Sequence, residues 1–185
     1  MENSANPVPE TAILGGGCFW CMEPVFRALD GVLGVRPGYC GGHVDHPTYE
    51  QVCRQDTGHV EVVQVVFDPQ RVGYRTLLEV FFGTHDPTTL DRQGNDTGPQ
   101  YASVIFYQGE AQRDLAQAVR AQAQAVFDDP IVTRIEAAGP FWPAEDLHRE
   151  YYRRNPGQGY CQLVIAPKLA KFRQRYAHLL RTGLQ

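Results

Sequence analysis

At 185 residues, 43% of them hydrophobic and 21% charged, the chain is long enough for one filled core and short for two domains. A formal net charge of −4, with no basic run beyond Arg153-Arg154, leaves no field for nucleic acid, and no apolar stretch is long enough to span a membrane. Five cysteines, an odd number with no export signal ahead of them, point to reduced or redox-cycling thiols in the cytoplasm, not to a structural disulfide framework.

Residues 1–10 are polar, lack the basic-then-apolar pattern of a signal peptide, and read as a mobile arm before a single domain over residues 11–185. A short apolar strand over residues 11–14 precedes a helix that carries Phe19, Glu23, Phe26, Ala28 and Leu29 and stops at Asp30-Gly31. Residues 32–39 form a second strand, followed by a polar loop opened by Gly41-Gly42-His43. The β-branched run over residues 59–67, closed by Asp68-Pro69, is the clearest strand and belongs at the centre of the sheet. Helical spacing returns over residues 74–82, followed by a polar loop over residues 85–100 that is longer than most connections. A strand over 101–107, an Ala/Gln-rich helix over 110–127, a strand over 131–135 and helices over 145–154 and 168–180 complete the chain. A glycine-bearing loop over 155–160 separates the last two helices. The order β-α-β-β-α-β with added helices predicts an α+β fold, a ferredoxin-like two-layer sandwich with helices packed on one sheet.

The chemistry concentrates in Gly15-Gly16-Gly17-Cys18-Phe19-Trp20-Cys21. Cys18 falls at a strand-to-helix junction, where unpaired N–H groups and the helix dipole favour a thiolate and so lower its pKa. The glycines permit positive φ and close approach of a substrate, and Phe19 and Trp20 supply an apolar wall for a small group. Taken one at a time, other polar residues have ordinary readings. Glu61 fits a solvent-facing charge on an alternating strand, Tyr49 and Tyr101 half-buried tyrosines, and Asp96 a turn residue in Gly94-Asn95-Asp96. His148 and His178 read as solvated on charged helical faces, and His85 as ordering the long loop.

The run Gly17-Cys18-Phe19-Trp20 resembles the active-site signature of the A-type peptide methionine sulfoxide reductases. Further segments resemble that family in its order, among them Pro47-Thr48-Tyr49-Glu50-Gln51-Val52-Cys53, Thr57-Gly58-His59-Val60-Glu61-Val62, Gln100-Tyr101 and Gly159-Tyr160-Cys161. Together they cover residues 11–172. The resemblance implies reduction of the S epimer of methionine sulfoxide, free or in proteins, as oxidative damage repair. In it Cys18 is the nucleophile that becomes a sulfenic acid, and Glu61 is the proton donor to the sulfoxide oxygen. Tyr49 and Tyr101 donate hydrogen bonds to that oxygen, Asp96 orders the site, and Phe19 and Trp20 enclose the S-methyl group. Cys161, expected in the flexible glycine-bearing loop, then resolves the sulfenic acid as a disulfide, which thioredoxin or dithiothreitol reduces from outside. No bound cofactor or metal is implied, and a monomer is expected.

Cys21, which completes a C-x-x-C pair, is a second candidate for the resolving thiol. Cys53 is expected to be a small buried residue and Cys40 a spectator. Two rival readings use the same residues: a general disulfide oxidoreductase built on Cys18-Phe19-Trp20-Cys21, and a metal-binding module drawing on Cys18, Cys21, Cys40, Cys53, His43, His46 and His59.

Overall fold

The computed structural model describes residues 7–184; the arm expected over residues 1–10 lies outside the described residues as far as residue 6, and Glu10 already opens the first strand. The strands are β1 (Glu10–Gly16), β2 (Val32–Cys40), β3 (Val60–Phe67), β4 (Arg92–Gln93), β5 (Asp96–Thr97), β6 (Ser103–Tyr107), β7 (Arg134–Ala137) and β8 (Trp142–Pro143). The helices are α1 (Phe19–Arg27), α2 (Tyr49–Cys53), α3 (Tyr74–Thr84), α4 (Glu110–Ala123), α5 (Tyr151–Arg154) and α6 (Ala166–Arg175). The main sheet runs β7-β6-β1-β3-β2-β8, antiparallel except for the β6–β7 pair, while β4 and β5 form a separate small hairpin. Within it β6-β1-β3-β2, with α1 linking β1 to β2 and α3 preceding β6, is the split βαβ arrangement of the expected sandwich.

Strand alternation decides what each face receives. Ala12 and Leu14 of β1 and Val63, Val65 and Phe67 of β3 join Phe19, Met22, Phe26, Leu77, Leu78 and Phe81 in the main core under α1 and α3. Ile13, Val60, Val62, Val104 and Phe106 face the other way, into a smaller cluster with Cys40. Position 61 falls in the helix-facing row with Val63, Val65 and Phe67, so β3 carries a carboxyl into the layer between sheet and helices.

Four local expectations need correction. Tyr101 belongs to a 3-10 turn begun by Pro99, its N–H donating to Gly98 O at 3.0 Å, and the strand starts at Ser103. The strand expected over 131–135 is Arg134–Ala137, because Val132 N–H is drawn off to Pro87 O (2.8 Å) before pairing begins. The helix expected over 145–154 breaks into a turn at Asp146–His148 and the single turn α5. Glu150 between them is left-handed at φ 50°, its N–H held by the Glu23 carboxylate at 2.9 Å. The helix expected over 168–180 is α6, entered through a wide π-type turn at Cys161–Ile165.

Phe67 is fully buried in the main core, so Phe67→Ala is expected to cost roughly 3–5 kcal/mol. Urea unfolding checks this; a loss below about 1 kcal/mol would mean that the core is not packed as described.

Candidate active site

Beyond β1 the chain turns through Gly17, whose φ of 97° suits glycine and whose Cβ position would lie 2.7 Å from Gln93 Cβ of the β4 strand. This turn delivers Cys18 to the N-cap of α1, where the thiol caps no backbone group and is 8% exposed. The first helical N–H, that of Phe19, has no intrahelical acceptor, and it donates to Glu61 Oε2 at 3.1 Å. Glu61 is 1% exposed. The thiol and the buried carboxyl therefore meet at one helix mouth.

Burial drives the Glu61 pKa up to about 8 against the pull of the Phe19 N–H, with the charge of Asp96 adding to the rise. At neutral pH the carboxyl is mostly protonated, one oxygen accepting from Phe19 and the group keeping a proton to give. The hydroxyls of Tyr49, on the first turn of α2, and Tyr101 are both held protonated by burial and then by the charge of Glu61, which places both within its electrostatic reach. Asp96, on β5, accepts the Tyr160 hydroxyl at 2.6 Å, and the same hydroxyl lies 3.4 Å from Cys21 Sγ. Cys18, Cys21 and Cys161 share one apolar cluster with Ile165, and no disulfide joins them. Beside it opens a cleft of about 410 Å³ lined by Cys18, Cys21, Asp96, Tyr160, Leu163 and Lys168 among others.

Cys18, Cys161 and Tyr101 thus share one cluster, Glu61 joins it at the helix mouth with Tyr49 in its electrostatic reach, and Asp96 connects through Tyr160, with four revisions. Burial outweighs the helix mouth at Cys18, and its thiol is raised well above the ordinary value, with Cys21 and the Glu61 charge contributing. Cys161 is fully buried in the π-type turn, not carried on a loop. Phe19 is also fully covered, packed on Tyr39 and His148, so the half-buried indole of Trp20 presents the apolar face. Cys53 is half-buried beside the Tyr49 hydroxyl. Cys40, by contrast, is buried in the smaller cluster on the other face of the sheet.

Sequence reasoning missed His148. It is 2% exposed, not solvated, and its Nδ1 accepts the Trp20 Nε1–H at 3.0 Å while its ring packs on Phe19, Trp20 and Tyr49. Trp20 is fixed on its other side by Tyr151, stacked at 3.8 Å between ring centroids. Helical patterning hid this, because the expected helix over 145–154 put His148 among charges. Glu145 was missed for the same reason: it accepts from Tyr39 Oη and Tyr49 N, tying α2 to the sheet. His85, expected to order the long loop, instead links its two flanks: its ring bonds Phe81 O of α3 and Ser103 Oγ of β6, and burial holds it neutral, its pKa lowered to about 3.

Among the described residues no three His, Cys, Asp or Glu side chains gather as a metal site. His59, named in the metal reading, spends both ring nitrogens on Gly42 N and Val44 O.

A profile described as "Peptide methionine sulfoxide reductase" matches residues 10–180. The chain belongs to that family. It is 61% identical over 174 residues to the peptide methionine sulfoxide reductase MsrA of Chromobacterium violaceum, spanning 93% of this chain and 99% of the relative. The corresponding enzyme of Thermus thermophilus is 54% identical over 172 residues, spanning 93% and 98%. Reduced Mxr1 of Saccharomyces cerevisiae superposes with a TM-score of 0.79 at 32% identity, covering 83% of this chain and 89% of that one. Methionine sulfoxide reductase A of Corynebacterium diphtheriae gives 0.73 at 34% identity, covering 84% and 78%. These relatives place the chain in the A-type branch of the reductase family, as an oxidoreductase of that type.

The buried carboxyl carries a stability signature. Glu61 moves from an ordinary value of 4.5 to about 8 on folding, so the native state favours its proton and loses stability as pH rises through that interval. Glu61→Gln removes the penalty. Its stability relative to the native sequence is expected to be level near pH 4 and to rise by roughly 3–5 kcal/mol by pH 8. Urea denaturation across that range checks this, and a pH-independent difference would contradict it.

Proposed function

We propose that the chain reduces the S epimer of methionine sulfoxide, free or within proteins, by attack of Cys18 on the sulfoxide sulfur with Glu61 as proton donor. The observation that carries this reading is the buried Glu61 carboxyl, hydrogen-bonded to the first N–H of the helix whose N-cap position is Cys18, where burial raises its pKa. An oxide ion cannot leave sulfur unaided, and a carboxyl with its pKa near the working pH is an efficient donor.

In the proposed sequence Cys18 Sγ bonds to the sulfoxide sulfur while the Glu61 proton goes to the oxygen. The Tyr49 and Tyr101 hydroxyls donate hydrogen bonds to the same oxygen, which carries the developing charge. Trp20 covers the S-methyl group with its indole face, and Phe19 backs it from beneath. Asp96 holds the Tyr160 hydroxyl and with it the wall of the cleft. The hydroxyl then passes to the Cys18 sulfur: the methionine S–O and S–S bonds break, one electron pair leaves with methionine, the other makes the Cys18 S–O bond, and Cys18 is left as a sulfenic acid. The Cys161 thiol, in the same apolar cluster, attacks that sulfur, expels water and forms a disulfide. An external dithiol then reduces the disulfide by exchange. Thioredoxin is the proposed donor; a Saccharomyces cerevisiae relative, Mxr1, is known in complex with Trx2. An odd cysteine count suits a reducing compartment, the cytoplasm, better than a disulfide framework.

Incubation with separated sulfoxide epimers and dithiothreitol tests the reading: the S epimer should yield methionine, the R epimer none, and Cys18→Ser none from either. Equal consumption of both epimers, or an active Cys18→Ser, would overturn it. In Cys161→Ala one equivalent of methionine per chain should still form, with thioredoxin-driven cycling lost; full cycling would remove Cys161 from the resolving role.

A further inference from the structure

Helix α1 buries a second carboxylate that the reaction does not use, that of Glu23, which is 2% exposed. Its two oxygens serve different elements. Oε1 accepts from Arg27 Nη2 at 2.9 Å, and the same Nη2 donates to Val35 O of β2 at 2.7 Å, so the carboxylate is braced against the sheet. Oε2 accepts the backbone N–H of Glu150 at 2.9 Å. An i,i+4 ion pair within one helix accounts for the first contact and not for the second.

At the far end of the second contact lies the cover of the indole. Glu150 is left-handed at φ 50°, a conformation that a residue with a Cβ keeps only when its surroundings hold it. On one side of that bend is His148, whose Nδ1 accepts the Trp20 Nε1–H at 3.0 Å; on the other is Tyr151, stacked on the indole at 3.8 Å. Trp20 and Glu23 stand about one turn apart on α1, and the segment meets them in order, Tyr151 on the ring and the Glu150 N–H on the carboxylate.

Resting on the reading above, we propose that Glu23 is a positioning residue for substrate binding: by holding the Glu150 bend it sets His148 and Tyr151 on Trp20, and so fixes the apolar face that receives the S-methyl group. Glu23 touches neither the substrate nor the reacting atoms. With the bend held, the indole already has the orientation in which it is needed; with the bend released, a substrate has to order His148, Tyr151 and the indole as it binds. An apolar wall acts alike on the bound substrate and on the transition state, so its loss appears in KM and leaves kcat nearly unchanged.

Two variants test this. Glu23→Ala removes both acceptor oxygens; Glu23→Gln keeps the volume but offers one oxygen to two donors, and it covers the case in which Glu23→Ala does not fold. Far-ultraviolet circular dichroism establishes which variants are folded. In steady-state reduction of methionine S-sulfoxide with dithiothreitol, KM is expected to rise on the order of 10-fold in Glu23→Ala and by less in Glu23→Gln, with kcat within about threefold of the native sequence. A contact that served stability alone would lower kcat through a smaller folded fraction and leave KM where it is. A second readout needs no substrate. The chain has two tryptophans, so in a Trp142→Phe background Trp20 alone fluoresces, and acrylamide should quench it more strongly in both Glu23 variants. A native protein that reduces no methionine sulfoxide would sink the reaction assignment, and the quenching would still report whether Glu23 holds the indole. Unchanged KM in the folded variants, or unchanged quenching, would overturn the role given to Glu23.

Discussion

The hydrogen bond from the Phe19 N–H to the Glu61 carboxyl is the constraint around which the site is arranged. It couples the first free donor of α1 to an otherwise apolar row of β3, so one contact fixes where the helix begins and where the carboxyl points. Neither partner would be tolerated alone. A helix N–H left bare in this layer would cost about 1–3 kcal/mol, and an ionised carboxylate there would cost more. Protonation resolves the conflict for the carboxyl, and the same proton is what reduction of a sulfoxide consumes. Gly17 is the covalent counterpart of this contact, since its left-handed turn lets the chain leave β1 and enter α1 directly under Glu61.

Dryness has opposite consequences at the acid and at the nucleophile. It equips Glu61 to give up a proton near neutral pH, yet it also suppresses the thiolate at Cys18, overriding the helix dipole that favours an anion there. Cys21 and Cys161 share its apolar cluster, and the Tyr160–Asp96 hydrogen bond and Lys168 shape the charge along the cleft beside it. Burial thus raises Glu61 and Cys18 together, which suits a proton donor at the carboxyl. Trp20 belongs to the same economy of fixed groups: its indole is pinned by His148 on its N–H and by Tyr151 on its face, so the apolar wall needs no ordering when a substrate arrives.

Elements with strong periodicity were legible in the sequence: the β-branched run of β3, the apolar start of β1, and α1 with its stop before Gly31. Also legible were the thiol at the strand-to-helix junction and, through family resemblance, Glu61, Tyr49, Tyr101, Asp96 and Cys161. What escaped has a shared physical cause: short elements whose conformation is imposed from a distance. The break at Glu150 depends on a hydrogen bond from its N–H to Glu23, 127 positions away in sequence, and His148 is buried because that break turns it inward. The start of β7 is set by Pro87, and the cover over Cys161 by the packing of Ile165 and neighbouring tyrosines. The helix α2 was the exception, since its capping box of Thr48 and Gln51 stood in the sequence and went unread. The misjudged acidity of Cys18 is of another kind: the helix end was visible, and the depth at which it is buried was not.

The account stands on the protonation state of one side chain at working pH. Infrared difference spectroscopy with carbon-13-labelled glutamate, using Glu61→Gln to assign the band, follows the Glu61 carboxyl stretch directly. A protonated carboxyl band that persists at pH 7 and fades through an apparent pKa near 8 is predicted. Loss of that band near pH 4.5, as for an ordinary glutamate, would contradict it.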